Sequence, residues 1–238
     1  LPGYLDWLSD VSHSWSARLV NDRRRSEGET TVRQGLGVSG TVRASRKILG
    51  WLNISPRVSL EQNWYDRDRT GEKFPSRFTY DAGVSARTTV FVRFLPRRLG
   101  VGAQRHIVEP SASFSWAPDF DQYFTGTGTD RFFTFSGFGS TPRERRSLSL
   151  SLVNKLQLKV GTGENVRRLD NLLRVASSTS YDFRKTERPW SDLASSVELR
   201  PGAPFSLRWN ARHDSYDGSV RNSSITASVN LTGSTPDI

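Results

Sequence analysis

Few residues in this chain stand at spacings that support catalysis. Asp119 and Asp121 are the clearest pair of carboxylates for general acid and base work, and they sit in a stretch whose composition suits a solvated loop. The three histidines, His13, His106 and His213, are far apart in sequence. Cys is absent, so neither a thiolate metal site nor a disulfide framework is available. No Walker-type glycine loop, HExxH or G-x-S-x-G occurs. Neither an enzymatic activity nor a cofactor nor a metal is therefore expected. The residues with chemistry to offer are arginines: Arg33, Arg43, Arg57, Arg87, Arg93, Arg174, Arg208 and Arg212 share the polar parity of their segments. A guanidinium binds phosphate or carboxylate in bidentate fashion. Such a set either pairs with neighbouring Asp and Glu and keeps a polar interior hydrated, or forms a cationic wall for phosphorylated or acidic cargo. The formal net charge of +10 suits a polyanionic partner without choosing among them.

The elements that position these arginines alternate with a period of two. In Ser147 to Val160, SLSLSLVNKLQLKV, the residues Leu148, Leu150, Leu152, Leu156, Leu158 and Val160 fall on one parity; Ser, Lys and Gln fall on the other. That is the period of a strand, and its length of about fourteen residues exceeds a usual soluble strand and suits a tilted bilayer span. Similar alternation occurs near 12–21, 30–45, 51–64, 78–93, 105–116, 171–184, 191–200, 205–212 and 220–231. Arg57 and Glu61 on one face of 51–64 cannot face lipid cheaply, so that face is expected to line a polar interior. Leu1 to Asp10 carries Tyr4 and Trp7, a pair suited either to a membrane interface or to an ordinary capping turn.

The expected fold is all-β: one domain over 1–238, an antiparallel up-and-down transmembrane β-barrel of about ten strands. The connections 22–29, 65–76 and 117–146 are longer and more charged than 46–50, 94–104 and 201–204, as a meander with turns at one end and loops at the other requires. The rule weakens where 161–170 exceeds 185–190. The 117–146 stretch would then lie at the cell surface. Arg23, Arg24 and Arg25, and Arg143, Arg145 and Arg146, are either solvated loop charge or contacts for anionic lipid headgroups. A hydrophobic fraction of 35% does not oppose a barrel, since half of each strand and the loops face water. No run of about 18 apolar residues occurs, so no ordinary transmembrane helix is expected. A chain without any Met reads as processed, or as part of something longer.

The segments RHIVEPSASFSW, SLSLSLVNKLQLKV and NLLRVASSTSYDF, in that order, resemble the C-terminal barrel region of the LptD family, over roughly 100–215 and more loosely elsewhere. The correspondence falls on Arg105, His106, Glu109 and Pro110 in the first segment and on Asn154, Lys155 and Lys159 in the second. The resemblance implies a large barrel in the outer membrane of a diderm bacterium. Such a barrel receives lipopolysaccharide from periplasmic bridge proteins and releases it sideways into the outer leaflet, with a plug lipoprotein in its lumen. About ten strands are too few for that barrel, so the chain would be an arc of it. The disulfides that join barrel and periplasmic domain in familiar members have no counterpart here, and the ending GSTPDI leaves the lateral seam unplaced. Two other readings stand beside it. A general porin, or a small self-contained barrel, accounts for the strands. A basic nucleic-acid-binding β protein accounts for the charge, but would place aromatics on a basic face, whereas many strand aromatics here share the apolar parity; no nucleic-acid partner is expected.

Overall fold

The computed structural model describes residues 10–26, 29–94, 101–160, 167–202 and 205–229. The strands are β1 (Val11–Ser26), β2 (Glu29–Ala44), β3 (Arg46–Ile48), β4 (Leu52–Tyr65), β5 (Ser76–Arg87) and β6 (Val90–Phe94), followed by β7 (Val101–Ala117), β8 (Arg145–Val160), β9 (Arg167–Asp182), β10 (Leu193–Gly202), β11 (Phe205–His213) and β12 (Val220–Val229). They form one sheet in the order β1-β2-β4-β5-β7-β8-β9-β10-β11-β12, with β3 on β4 and β6 on β7. The order follows the chain, as an antiparallel meander requires. Among the described residues β1 and β12 stand at the two ends of this order without a ladder between them. The segment with Tyr4 and Trp7 and the terminal GSTPDI lie outside the described residues.

Among the described residues twelve strands replace the ten expected, because the connection expected at 46–50 carries the short strand β3 and the strand expected over 78–93 is interrupted. β2 and β3 part at Ser45, whose N–H donates to the Asp10 carbonyl at 3.3 Å. β5 and β6 part at Thr88 and Thr89, beside Pro110 of β7. The Thr88 N–H donates to the Pro110 carbonyl at 3.3 Å, but proline has no N–H to return, so the ladder breaks there. A second difference concerns the charged stretch around 22–29, which is mostly strand. The β1–β2 ladder runs unbroken from Val11↔Ala44 to Ser26↔Glu29. Backbone pairing continues because charged side chains on a strand beyond an apolar zone remain solvated on both faces. The short connection between β3 and β4 turns through Leu49 and Gly50, both at positive φ (52° and 73°), the geometry of a tight hairpin turn.

The chain divides into two compact units: Leu1–Ile48, Asn53–Ser85 and Phe114–Ser147 form the first; Leu49–Leu52, Ala86–Ser113 and Leu148–Ile238 form the second. In the first, directly opposed residues sort by polarity. One face carries the rows His13–Val42–Val58, Trp15–Gly40–Leu60, Ala17–Val38–Gln62 and Leu19–Leu36–Trp64. The other carries Ser12–Arg43–Arg57, Ser14–Thr41–Ser59, Ser16–Ser39–Glu61 and Arg18–Gly37–Asn63. Leu19 is 82% exposed and Trp15 59%. Trp15 lies across Gly40, where a Cβ would fall 2.2 Å from the indole.

The second unit sorts the same way. Val175–Val197–Trp209–Ile225 and Leu173–Leu199–Leu207–Ala227 form apolar rows, while Arg174–Glu198–Arg208–Thr226 and Ala176–Ser196–Asn210–Ser224 form polar ones. Its loops 183–192 and 214–219 are clamped together. Arg188 and Arg221 both donate to Asp214, and the Trp190 N–H donates to the Tyr216 hydroxyl at 2.7 Å. The Arg221 hydrogen bond, the Tyr216 N–H and the charge of Arg188 hold the buried Asp214 carboxyl down at about 2.

Candidate functional site, the polar face of the sheet

The polar face differs between the units. In the first, the loop-side ends of the strands present Val20, Gly35 and Tyr65, directly opposed to one another on the polar parity. Onto them folds the 118–144 segment, most of the connection expected over 117–146, which is ordered by the 3-10 turn η1 (Asp121–Tyr123) and by bridges Phe124↔Asp130 and Phe135↔Phe138. Phe132, Phe138 and Tyr65 form a buried cluster flanked by Val20, Tyr123 and Phe135. The Phe138 ring rests against Gly35 and Gly37, where a Cβ would meet it at 3.0 and 3.4 Å. Side chains at these two positions would push the ring off the sheet.

Arg77 of β5 holds this cap. Only 1% exposed, it donates to the Gly139 carbonyl at 2.9 Å and the Thr141 hydroxyl at 3.3 Å, and faces Glu61 at 3.5 Å and Asp130 at 4.0 Å. Asp130 in turn accepts from the Thr141 N–H at 2.6 Å. The 66–75 loop is tied in by Asp68, which accepts from Thr70 and from Arg131 at 2.8 Å. Burial pushes the Asp68 carboxyl up, but the hydrogen bonds from Thr70, Arg131 and the Glu72 and Thr70 amides outweigh it and hold it below its ordinary range. Asp119 lies against Asp121, whose carboxyl is raised by their shared hydrogen bond and by the charge of Asp119; both are exposed on the cap.

The eight polar-parity arginines distribute as follows. Arg33, opposite Asp22, stacks its guanidinium over Phe133 at 3.7 Å. Arg43 lies opposite Ser12 and Arg57, and Arg57 pairs with Asp81 at 3.5 Å. Arg87 ends β5, and Arg93 stands opposite Arg105. Arg174 and Arg208 both stand opposite Glu198, which Arg208 reaches at 3.0 Å. Arg212 lies opposite Ala194 and Asn222. Among the described residues only Arg57 and Arg208 of the eight pair with a carboxylate. Mutual neutralisation therefore accounts for a minority of the set. In the second unit Arg212 helps line an open recess of about 570 Å³ with Ser151, Ser178, Ser196, Asn210 and Asn222.

The motif residues of β7 and β8 meet in pairs on opposite faces. Lys155 Nζ contacts Glu109 Oε2 at 2.8 Å on the polar parity, and His106 Nε2 contacts Asn154 Oδ1 at 3.2 Å on the parity of Val108 and Leu152. Arg105 stacks over Phe91 at 4.3 Å. Pro110 interrupts the ladder as described. Lys159 is exposed near the end of β8. His13, His106 and His213 occupy three different strands. Among the described residues no group of His, Cys, Asp or Glu is arranged to hold a metal ion. Arg77 lies one residue before the alternating run 78–93, outside the strand that the sequence predicts. Extending the same parity back by one residue places it with Asp81 and Ser85.

The face thus offers surplus guanidinium groups and hydroxyls backed by an exposed apolar face, an arrangement suited to an anionic, hydrated ligand. A search of curated proteins finds no match. A family model described as LptD protein matches residues 5–216, most of the chain, and on this match the chain belongs to the LptD family, a component of lipopolysaccharide transport and assembly.

Proposed function

We propose that the chain forms part of the wall of a transmembrane β-barrel in the outer membrane of a diderm bacterium, passing lipopolysaccharide or a similar anionic glycolipid into the outer leaflet. The apolar rows face lipid. The phosphorylated head travels along the polar face and leaves between weakly paired strands. The observation that carries this reading is the register: it gathers exposed Leu, Val and Trp on one face and arginine largely without carboxylate partners on the other. A sheet with one such apolar face satisfies its backbone groups in hydrocarbon only when closed, so the strands that complete the ring belong to the proposal. A plug lipoprotein against the polar face and periplasmic bridge proteins at the turn end are the partners implied by the family. The protein acts without enzymatic chemistry, the driving force coming from upstream.

The test replaces Arg87 and Arg174 by Ser and measures newly made lipopolysaccharide reaching the cell surface. Folding should be spared and surface delivery reduced. Unchanged delivery with normal protein levels rejects the cationic wall.

A further inference from the structure

We propose that Arg23 and Arg25 of β1 form a site for the phosphate groups of anionic membrane lipids at the loop-end rim of the first unit. The proposal rests on the membrane-spanning reading above and adds a ligand that this reading does not require. The β1–β2 register fixes the arrangement. On the apolar face the rows run Leu19↔Leu36, then Asn21↔Gln34, then Arg23↔Val32, then Arg25↔Thr30. Asp22 and Arg24 fall on the opposite parity, so the acid nearest in sequence points away. Among the described residues, Arg23 and Arg25 are exposed and engage neither a carboxylate nor a hydrogen-bond acceptor.

Their height is that of headgroups. From Val11 to Leu19 the apolar face extends roughly 27 Å along the strand at about 3.4 Å per residue, or about 20 Å in height at the usual barrel tilt. That nearly fills the apolar band of about 25 Å typical of outer-membrane barrels. Arg23 lies a further four residues along, roughly 10 Å higher by the same spacing and tilt, where the polar layer begins. Aromatic residues independently mark the level just below it. Trp64, in the row of Leu19 and Leu36, and Phe78 and Tyr80 near the start of β5 are all partly exposed, the composition of an interfacial girdle. Arginine above such a girdle meets lipid phosphates, which it binds in bidentate fashion.

The experiment uses the purified protein in detergent, exposed to mixed micelles of phosphatidylglycerol and phosphatidylcholine, with retained lipid counted by native mass spectrometry. Wild type should prefer phosphatidylglycerol. The double variant Arg23→Gln/Arg25→Gln should lose that preference by roughly thirtyfold, about fivefold per charge, while phosphatidylcholine retention stays the same. Lys73→Gln/Lys185→Gln, an equal change of charge on exposed loop side chains, should leave the preference in place. Equal loss in both pairs would reduce the effect to net charge and overturn the site. Displacement of the lipid by inorganic phosphate would overturn the assignment to lipid. Quenching of tryptophan by acyl chains brominated near their middle separates the two readings. Without quenching in wild type the membrane-spanning reading fails and this proposal with it. Normal quenching with unaltered lipid preference in the double variant sinks this proposal alone.

Discussion

The two units share one kind of sheet and differ in what lies on its polar face. In the first, the 118–144 segment folds back, brings six aromatic or aliphatic side chains together over Gly35 and Gly37, and buries Arg77 beneath it. In the second, the loops are shorter, clamp to each other through Asp214, and leave a hydroxyl-lined recess with Arg212 open. The strands are equally amphipathic in both. Loop length and composition, not strand chemistry, therefore decide whether the polar face is roofed or open. An arginine roofed over becomes a structural tie, whereas one left open keeps its capacity for an anion.

The comparison is broken most severely by removing what the units share. Leu150→Arg or Leu152→Arg, on the apolar parity of β8, should block membrane assembly at about 2–4 kcal/mol per charge near the bilayer midplane, read as loss of the heat-resistant folded band in vesicles. Wild-type insertion of both variants would sink the lipid-facing assignment. Next in size, Arg77→Leu removes the cation that faces Asp130 and Glu61 and should loosen the cap by about 2–3 kcal/mol. That lies below the range for a fully buried pair because Glu61 is 44% exposed. Trypsin should then cleave rapidly at Arg131 or Arg143 while the second unit stays resistant; unchanged cleavage would mean the cap does not depend on this tie.

Phe138→Ala, which empties the seat over Gly35 and Gly37, should open the same cap at a cost of about 2–3 kcal/mol, since the site can partly collapse. Hydrogen exchange in 118–144 should rise with no change in 183–192. The smallest expected effect is a pH dependence of the second unit's loop clamp. The folded carboxyl of Asp214, at about 2, lies below the ordinary unfolded value of about 3.9. Its contribution is present above that unfolded value and is lost as pH falls through about 2. Loop protection in 183–192 should thus hold at pH 5 and fade only below about pH 4. Fading near neutrality would reject the clamp.

Much of the sheet was legible in the sequence because alternation is a local property. The parity of SLSLSLVNKLQLKV, and the placement of Arg33, Arg57, Arg174 and Arg208 opposite the apolar residues, need no knowledge of neighbouring strands. Strand ends were less legible. The run NDRRRSEGE reads as a loop, yet Asp22 to Ser26 pair with β2, because charge does not prevent backbone pairing where both faces are wet. The break at Thr88 and Thr89 depends on Pro110 in a different strand. It follows from proline's missing donor only once the two are known to be neighbours.

The sequence by itself determined that the chain is β, that its strands are long and two-faced, and that arginine belongs to the polar side; the spacing of apolar residues dictates these. The tertiary structure decided which charges remain free. Whether an arginine is paired, stacked or buried depends on register and on loops that return from far along the chain. Arg77 meets Gly139 and Thr141 from more than sixty residues away, and no local pattern encodes that meeting. It arises because the 118–144 segment gains more by covering its aromatic side chains on the sheet than by leaving them in water.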